Sequence, residues 1–307
     1  MKKISFLIAV HNEEKIIEKT LTHLLSIPYN NYEIIIGLDG CTDNTKKIVE
    51  EFKKKSDKVK MFSLNLRMGK PAVINEIIKK STGEIIIIND ADWLFNIESS
   101  GKLLKFISVF DDPRVGGIAE SFPVEWDEQK IKKGNLGYKM TAYGAYFWME
   151  FQREKYAFKK NRIFYLKEPT MFLTNILRKE LYKPNDSLGD DFERTADIMN
   201  QGYDVVTFDD ISIPRMTSVY DKIYIKDIFN QKVRTAKARK QIKNKGQKIG
   251  AFYNLKAGLS IIKRAFKHSL VVGMLVTTWL AITFIASLKS GLLNFDTKKG
   301  WTLRAQR

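Results

Sequence analysis

The chain has 307 residues, of which 44% are hydrophobic and 12% aromatic, a composition that excludes global disorder and allows a sizeable core. The formal net charge of +17 indicates an anionic partner, which the charge alone leaves open among nucleic acid, a membrane surface and a phosphorylated substrate. Cys41 is the single cysteine, so an intrachain disulfide is excluded and a reducing compartment is favoured.

The first half of the chain alternates between strand-like and helix-like segments. The predicted strands are "KISFLIAV", "YEIIIGLD", "KVKMFSL" and "EIIIIND". Asn12 is a candidate N-cap for the first helix, while Pro71 and Gly83 suit the start and the end of the third. Continuous apolar strands separated by helices predict a mostly parallel sheet with helices on both faces.

The second half is less regular. "VGGIAESFPVEW" is typical of a strand, and the aromatic-rich residues 134–158 predict one or two half-buried helices. The segment "SLGDDFERTADIMNQGYDVVTF" predicts a loop, a helix that ends at Gly202, and a strand. Residues 222–248 are strongly basic and contain one acid, Asp227.

Acidic residues follow several of the predicted strands. Glu13, Asp39, Asp90 and Asp92 should collect at one edge, because the carboxyl ends of parallel strands meet where such sheets bind ligands. Alternation along an extended chain puts Asp90 and Asp92 on the same side. Two carboxylates there suit Mg²⁺ or Mn²⁺, which also bind phosphate oxygens. A solvated turn is the alternative for the bare Asp-Ala-Asp sequence, and the buried strand before it favours the cation site.

Two residues near this edge have two interpretations each. Asp39 either belongs only to a turn and helix cap or accepts hydrogen bonds from a nucleobase. Lys70 either lies in an ordinary loop or binds phosphate together with the N-terminal end of the following helix.

The later polar segments also have two interpretations. Asp190 and Asp191 are either ordinary acids at a helix start or, if they face the cleft, include a general base that takes a proton from a hydroxyl. The basic residues 222–248 form either a solvated or headgroup-facing surface, or contain a pyrophosphate clamp made by Gln231 and Arg234.

The C-terminal region has the pattern of a membrane segment. Residues 269–288 contain no charge and would form a helix about 30 Å long, the thickness of a bilayer core. Residues 251–267 place apolar side chains on one face and lysines opposite, as in helices at a membrane interface. A buried helix of a soluble domain is the alternative for residues 269–288.

Six segments together resemble the motifs of the family 2 inverting glycosyltransferases with the GT-A fold. "FLIAVHNEE" is similar to the opening PxYNE stretch, with Ala9 at its usual proline and His11 at its tyrosine, and both join the predicted substrate-binding set. The other five are "DGCTDNT", "GKPAVIN", "NDADWLF", "GDDFERTADIMNQGYDVV" and "QKVRT". Their order and spacing match the family over roughly residues 3–240.

This resemblance implies a nucleotide-diphosphate sugar donor held with Mg²⁺ or Mn²⁺. Asp39 would bind the base, Glu13 the ribose region, and Lys70 and Asp90 the nucleotide. Asp92 would be the metal ligand.

The resemblance also implies how the transfer is catalysed. Arg234, with Gln231 beside it in the same motif, would neutralise the departing diphosphate. Asp191 would activate the acceptor hydroxyl and so invert the anomeric carbon, and choosing it over Asp190 depends on the alignment. Thr235 stands where polymerising members have tryptophan, and a single predicted span replaces their several spans, so a processive synthase is not expected.

The expected organisation is a catalytic domain over 1–240, a basic amphipathic segment over 241–268, a transmembrane helix over 269–288 and a short basic tail over 289–307. The expected function is transfer of one sugar to a lipid-linked or membrane-proximal glycan acceptor, at the cytoplasmic side of the cell membrane. One alternative is a catalytically silent relative that binds nucleotide sugar or acts as a scaffold. Another is a nucleic-acid-binding protein, but the sequence contains no recognised nucleic-acid-binding motif.

Overall fold

The computed structural model describes residues 1–169, 173–245 and 255–290, so parts of the predicted basic segment (246–254) and most of the tail (291–307) lie outside the described residues. The elements of the N-terminal half are β1 (Ile4–Val10), α1 (Ile17–Leu25), β2 (Tyr32–Asp39), α2 (Thr45–Lys55), β3 (Val59–Leu64), α3 (Lys70–Ile77), β4 (Ile85–Ile88), β5 (Trp93–Asn96), α4 (Ser100–Ile107), β6 (Val115–Ala119) and α5 (Glu128–Lys133). Those that follow are α6 (Leu136–Tyr156), β7 (Ala157–Lys160), β8 (Ile163–Leu166), β9 (Thr174–Arg178), α7 (Asp190–Asn200), β10 (Asp204–Thr207), β11 (Arg215–Ser218), α8 (Ile225–Asn244), α9 (Leu255–His268) and α10 (Leu270–Lys289).

The described strands form one large sheet and one small one. The large sheet has nine strands in the order β3-β2-β1-β4-β9-β6-β10-β8-β7, and the small one pairs β11 with β5. β9 and β8 run opposite to the other strands of the large sheet. The prediction of a mostly parallel sheet is therefore confirmed, and the carboxyl ends of β1, β2, β4 and β6 meet at one edge.

Alternating side chains of the strands build a core on each face of the sheet. Phe6 and Ile8 of β1 belong to the core that also contains residues of α1, α2 and α4. Leu7 and Ala9 point to the opposite core, which contains residues of α3, α6 and α7. β1, β2 and β4 are buried along their whole length and are therefore apolar at most positions, which makes them recognisable in the sequence.

A separate helical layer joins the C-terminal helices to the half of the chain that forms the sheet. α6, α8, α9 and α10 share an apolar cluster in which Trp279 of α10 is 1% exposed. A Cβ atom at Gly144 of α6 would overlap the Trp279 ring, so glycine allows the two helices this close approach. The Lys232 ammonium of α8 lies 3.9 Å from the centre of the same ring.

α10 is the one described helix that is long and apolar enough to cross a membrane. One side of it packs against the protein through residues that include Val276 and Trp279. The opposite side exposes large apolar side chains, namely Leu270, Val271, Met274, Phe284, Ile285 and Leu288. α9 also exposes Leu255, Leu259 and Phe266. α10 is therefore buried on one side and exposed on the other, and its transmembrane assignment stays a prediction.

Candidate active site

A cavity of about 210 Å³ lies at the carboxyl edge of the sheet. Nine residues predicted from the sequence line it together, and they are Ala9, Glu13, Lys70, Asp90, Asp92, Asp190, Asp191, Gln231 and Arg234. His11 and Asp39 are the two predicted substrate-binding residues that do not line it. The chain thus brings together, from segments as much as about 230 positions apart, almost all the residues selected for chemistry.

Lys70 lies at the start of α3, where Gly69 adopts a positive φ of 93°. Its Nζ is 2.5 Å from Oδ1 of Asp90 and 5.8 Å from the centre of the Trp93 ring. Burial lowers the pKa of Lys70, but the charges of Asp90, Asp190 and Asp191 outweigh that effect and raise the pKa above its usual value. Lys70 is therefore a partly buried ammonium that lines the cavity at the N-terminal end of a helix.

Asp39 supports the loop that leads to Lys70. The carboxylate is fully buried, and its two oxygens accept hydrogen bonds from the backbone N–H groups of Met68, at 2.6 Å, and Gly69, at 2.8 Å. Its carbonyl oxygen lies 2.6 Å from Nδ1 of His11. These contacts show that Asp39 and His11 connect the ends of β1 and β2 to the loop before α3; a contact between Asp39 and a nucleobase stays a prediction.

Glu13 is a buried carboxyl group that faces the acidic edge of the sheet. Its backbone N–H donates to Oγ1 of Thr45, and within the described residues its Oε2 has no hydrogen-bond partner. Burial, followed by the charges of Asp92, Asp90 and Asp43, raises the pKa of Glu13 to about 9. A cation at this edge would relieve the accumulated negative charge.

The two adjacent aspartates at the start of α7 have different environments. Oδ2 of Asp190 accepts a hydrogen bond of 2.6 Å from Arg194, one turn later, and both side chains are almost fully buried. Arg194 also donates to Oδ1 of Asn175 at 2.6 Å and to the carbonyl oxygen of Thr174 at 2.8 Å. Burial opposes ionisation, yet Arg194, then Lys70 and Arg234, lower the pKa of Asp190 to about 2.

Asp191 lies beside this ion pair and lines the cavity. Burial and the charge of Asp190 raise its pKa, whereas Lys70, Arg194 and Arg234 lower it, and the net result is a pKa of about 6. Its Oδ1 accepts the backbone N–H of Phe192 at 2.9 Å. A carboxylate with this pKa suits proton transfer near neutral pH better than its ionised, arginine-bound neighbour.

α8 forms the remaining wall of the cavity. Its lining residues are Asp227, Gln231, Arg234, Thr235 and Ala238, a helical spacing that puts them on one face. Arg234 lines the same cavity as Asp190 and Asp191, and its positive charge lowers the pKa values of both. Gln231 and Arg234 thus line one cavity together with Lys70 and the acids, and their role as a clamp for an anionic group stays a prediction.

Sequence reasoning missed three residues of this site. Arg194 holds Asp190, Trp93 lines the cavity under Lys70, and Asp227 lines it from the first turn of α8. A signal existed for two of them: Arg194 is four residues after Asp190 on one helix, and Asp227 is the single acid of the basic segment. Nothing in the sequence distinguished Trp93 from other buried aromatic residues.

A sheet with this order and an acidic site at its carboxyl edge has the GT-A fold. The mannosyltransferase PcManGT from Pyrobaculum calidifontis, in complex with GDP-Man and Mn²⁺, has a similar fold, with a TM-score of 0.60 and 18% identity over 95% of this chain and 87% of that chain. The family model described as "Glycosyl transferase family 2" matches residues 5–183. The chain belongs to glycosyl transferase family 2, as its motifs predicted.

Curated relatives match a shorter segment. The poly-beta-1,6-N-acetyl-D-glucosamine synthase of Staphylococcus epidermidis is 39% identical over 119 residues, which cover 36% of this chain and 29% of that protein. The enzyme with the same name from Staphylococcus aureus strain COL is 30% identical over 118 residues, 38% of this chain and 28% of that protein. The match thus spans less than a third of the length of these relatives.

Proposed function

We propose that this protein is a membrane-attached glycosyltransferase that moves one sugar from a nucleotide-diphosphate sugar to a lipid-linked or membrane-proximal acceptor. The observation that carries the proposal is the arrangement of the cavity, where Asp191 faces Lys70, Arg234 and the acidic edge of the sheet. A base and a binding site for an anionic leaving group are what this transfer needs, and membership of family 2 supports the same reaction class.

The donor binds along the carboxyl edge of the sheet in this proposal. The base lies near Asp39 and His11, beyond the loop of residues 66–69, and the ribose lies near Ala9 and Glu13. Glu13 supports this placement because its buried, unbonded Oε2 can accept a hydroxyl hydrogen bond. The diphosphate lies among Lys70, Gln231 and Arg234, the donors that line the cavity.

The residues present fit a divalent cation bound mainly through the substrate. Among the described residues, no group of three or more His, Cys, Asp or Glu side chains is arranged to hold a metal ion. Asp92 lines the cavity, Asp90 is engaged by Lys70, and burial, together with the surrounding acids, raises the pKa of Glu13 and keeps it protonated. Mg²⁺ and Mn²⁺ suit such a site, since one or two carboxylates and diphosphate oxygens satisfy them. When bound, the cation would supply charge neutralisation on the leaving diphosphate.

The chain's own residues perform the transfer in one displacement. Asp191 takes the proton of the acceptor hydroxyl as its oxygen bonds to the anomeric carbon of the donor sugar, and the bond from that carbon to the diphosphate oxygen breaks. Attack from the face opposite to the leaving group inverts the anomeric carbon. Lys70 and Arg234 stabilise the negative charge that develops on the diphosphate. If the acceptor is a lipid phosphate, which is already anionic, Asp191 is needed less.

The remaining features support a membrane acceptor and a single transfer. The exposed apolar side of α10 and the apolar residues of α9 would hold the catalytic half at the bilayer, on its cytoplasmic side. Thr235, which stands in the cavity wall where the polymerising members have tryptophan, has no aromatic ring to stack on a growing glycan. The exposed lysines of α8, Lys226, Lys240 and Lys243, would face anionic headgroups.

Thermal shift of the detergent-purified full chain tests this function. Sugars carried by UDP, GDP, CMP and dTDP are each added with and without Mn²⁺. We expect one nucleotide family to stabilise the protein only when Mn²⁺ is present. D92A should abolish this stabilisation, and D57A, which removes an exposed acid far from the cavity, should retain it. No response to any nucleotide sugar with Mn²⁺ would contradict the proposal and favour a silent relative.

A further inference from the structure

An exposed apolar patch with a basic rim lies next to the cavity and outside α9 and α10. Its apolar residues are Leu136 at the start of α6 and Tyr224 and Ile225 at the start of α8, which are 62%, 50% and 57% exposed. We call this surface, made by residues 132–136 and 222–226, the lip of the cavity. Large apolar side chains grouped in this way on a water-facing surface indicate a contact with another apolar phase.

The two segments of the lip are firmly joined. Oδ1 of Asn135 accepts a hydrogen bond of 3.0 Å from the backbone N–H of Ile223 and another of 3.0 Å from that of Tyr138. A Cβ atom at Gly137 would overlap the carbonyl oxygen of Ile223, so only glycine permits this close approach. The apolar side chains of the lip are therefore presented together by a folded support.

The rim of the lip is basic. Lys132 and Lys133 flank Leu136 on one segment, Lys222 and Lys226 flank Tyr224 and Ile225 on the other, and all four lysines are exposed. Burial lowers the pKa of Lys130 below its usual value, and the charge of Asp221, just outside the lip, partly opposes this shift. Apolar and tyrosine side chains surrounded by lysines complement the boundary between acyl chains and anionic headgroups.

The lip is directly connected to the cavity. Oδ2 of Asp227 accepts a hydrogen bond of 3.0 Å from the backbone N–H of Tyr224, and Asp227 lines the cavity. Gln231, one helical turn further along α8, also lines it. At a rise of about 1.5 Å per residue, Gln231 and Arg234 lie about 9 and about 14 Å along the helix from Ile225, so a molecule that rests on the lip can extend to the proposed diphosphate clamp.

We propose that the lip docks on an anionic lipid surface, with Leu136, Tyr224 and Ile225 in the acyl boundary and the surrounding lysines against lipid phosphates. The proposal deepens the proposed function, on which it rests, because it states where the cavity opens: toward the bilayer. An acceptor with a lipid anchor would then reach Asp191 without leaving the membrane. A lipid surface is favoured over a protein partner because the apolar residues and the basic rim repeat the pattern of α9.

Site-directed fluorescence tests the lip directly. Because Cys41 is the single cysteine, C41S provides a background in which one NBD-labelled cysteine is introduced at a time. The full chain carrying L136C or I225C is reconstituted into vesicles of phosphatidylcholine and phosphatidylglycerol, with or without doxyl-labelled lipid. L259C on α9 and F284C on α10 report membrane association in general, and F158C on β7 is the exposed apolar control.

We expect at least twofold stronger doxyl quenching at positions 136 and 225 than at position 158. Quenching at 259 and 284 without quenching at 136 and 225 would overturn the lip proposal while leaving membrane attachment intact. Absence of quenching at all labelled positions would overturn membrane attachment itself. The two proposals therefore fail in distinguishable ways.

Charge reversal tests the basic rim. K222E/K226E in the I225C protein should lose at least half of the quenching at position 225 in vesicles that contain phosphatidylglycerol. K53E/K54E, which reverses two exposed lysines at the end of α2, changes the net charge equally and should leave this quenching unchanged. Equal losses in both variants would mean that net charge, and not the lip, sets the contact, and would overturn the proposal.

Discussion

At the scale of single residues, Asp190 and Asp191 are adjacent in the chain and have opposite properties. Arg194 binds Asp190 from one turn away and keeps it ionised, with a pKa of about 2. The same negative charge, added to burial, raises the pKa of Asp191 to about 6. Two carboxylates whose environments separate their pKa values in this way are suited to different tasks, one to structure and the other to proton transfer.

Activity should depend on pH through Asp191. Because a general base works only when deprotonated, kcat should rise with pH through about 6 and level off above it. D191N should lower kcat by about 10²- to 10⁴-fold at pH 7.5. The pH profile of donor turnover measures this. A D191N enzyme with near wild-type kcat would show that an acceptor phosphate needs no base.

The ionised Asp191 should also lower the free energy of unfolding at neutral pH. Its pKa is higher in the folded protein than in the unfolded chain, so stability falls as pH rises from about 4 to about 6 and stays lower above that range. D191N, which carries no charge, should therefore be more stable than the wild type at pH 7.5 by about 1–3 kcal/mol. Thermal midpoints at pH 7.5 and pH 4.5 test this. If D191N were more stable than the wild type by the same amount at pH 4.5, the raised pKa of Asp191 would be contradicted.

Arg194 should be essential for stability because it is buried with its partner. R194M leaves Asp190 as a buried carboxylate without its arginine and should lower the free energy of unfolding by about 3–5 kcal/mol. The loss of stability in D190N/R194M should be clearly smaller than the sum of the losses in D190N and R194M, because both single substitutions remove the same ion pair. Urea unfolding of the four proteins provides this double-mutant cycle. Additive losses would show that the pair does not act as a unit.

At the scale of elements, the contact between α6 and α10 attaches α10 to the catalytic half. Trp279 packs over Gly144 and under the Lys232 ammonium of α8, the helix that also carries Gln231 and Arg234. One face of α8 therefore lines the cavity while another supports α10. Displacing α10 should disturb the diphosphate clamp.

G144A should weaken this contact. The added Cβ overlaps the Trp279 ring, and overpacking of this kind costs about 1–3 kcal/mol. G258A is the matched control: it adds the same methyl group to α9 where no atom lies within 4 Å, and it should stabilise the protein by up to about 1 kcal/mol. Thermal midpoints in detergent compare the two variants. Equal effects would mean that α6 and α10 are not closely packed.

At the scale of the whole molecule, the exposed side of α10 should decide whether the protein stays in the membrane. F284D/I285D places two charges among exposed apolar residues and should shift most of the protein from the carbonate-resistant membrane fraction to the soluble fraction. F158D, which adds one charge to an exposed site on β7, should leave the distribution unchanged. Retention of F284D/I285D in the membrane would contradict this role of α10.

The local predictions from sequence failed where a distant contact replaced a nearby one. Asn12 was predicted to cap α1, but it has a positive φ of 54° and its side chain bonds Thr42, 30 residues away, while α1 begins at Ile17. The oxygens of Asp39 likewise accept hydrogen bonds from the distant loop before Lys70, and a contact between Asp39 and a nucleobase stays a prediction. Hydrogen bonds between residues so far apart leave no local pattern.

The sequence by itself determined the order of the first four strands and three helices, the mostly parallel sheet and the family, because buried strands are apolar and turn residues mark their ends. It also selected nine of the residues that line the cavity: Glu13, Asp90 and Asp92 because the ends of parallel strands meet at one edge, and the other six from helix starts, the basic segment and the family motifs. Only the tertiary structure gave Asp190 and Asp191 their different environments and joined residues 132–136 to residues 222–226. Burial and the distances between charges determine the pKa values, and contacts between distant segments create the exposed surfaces. Both arise only when remote parts of the chain pack together.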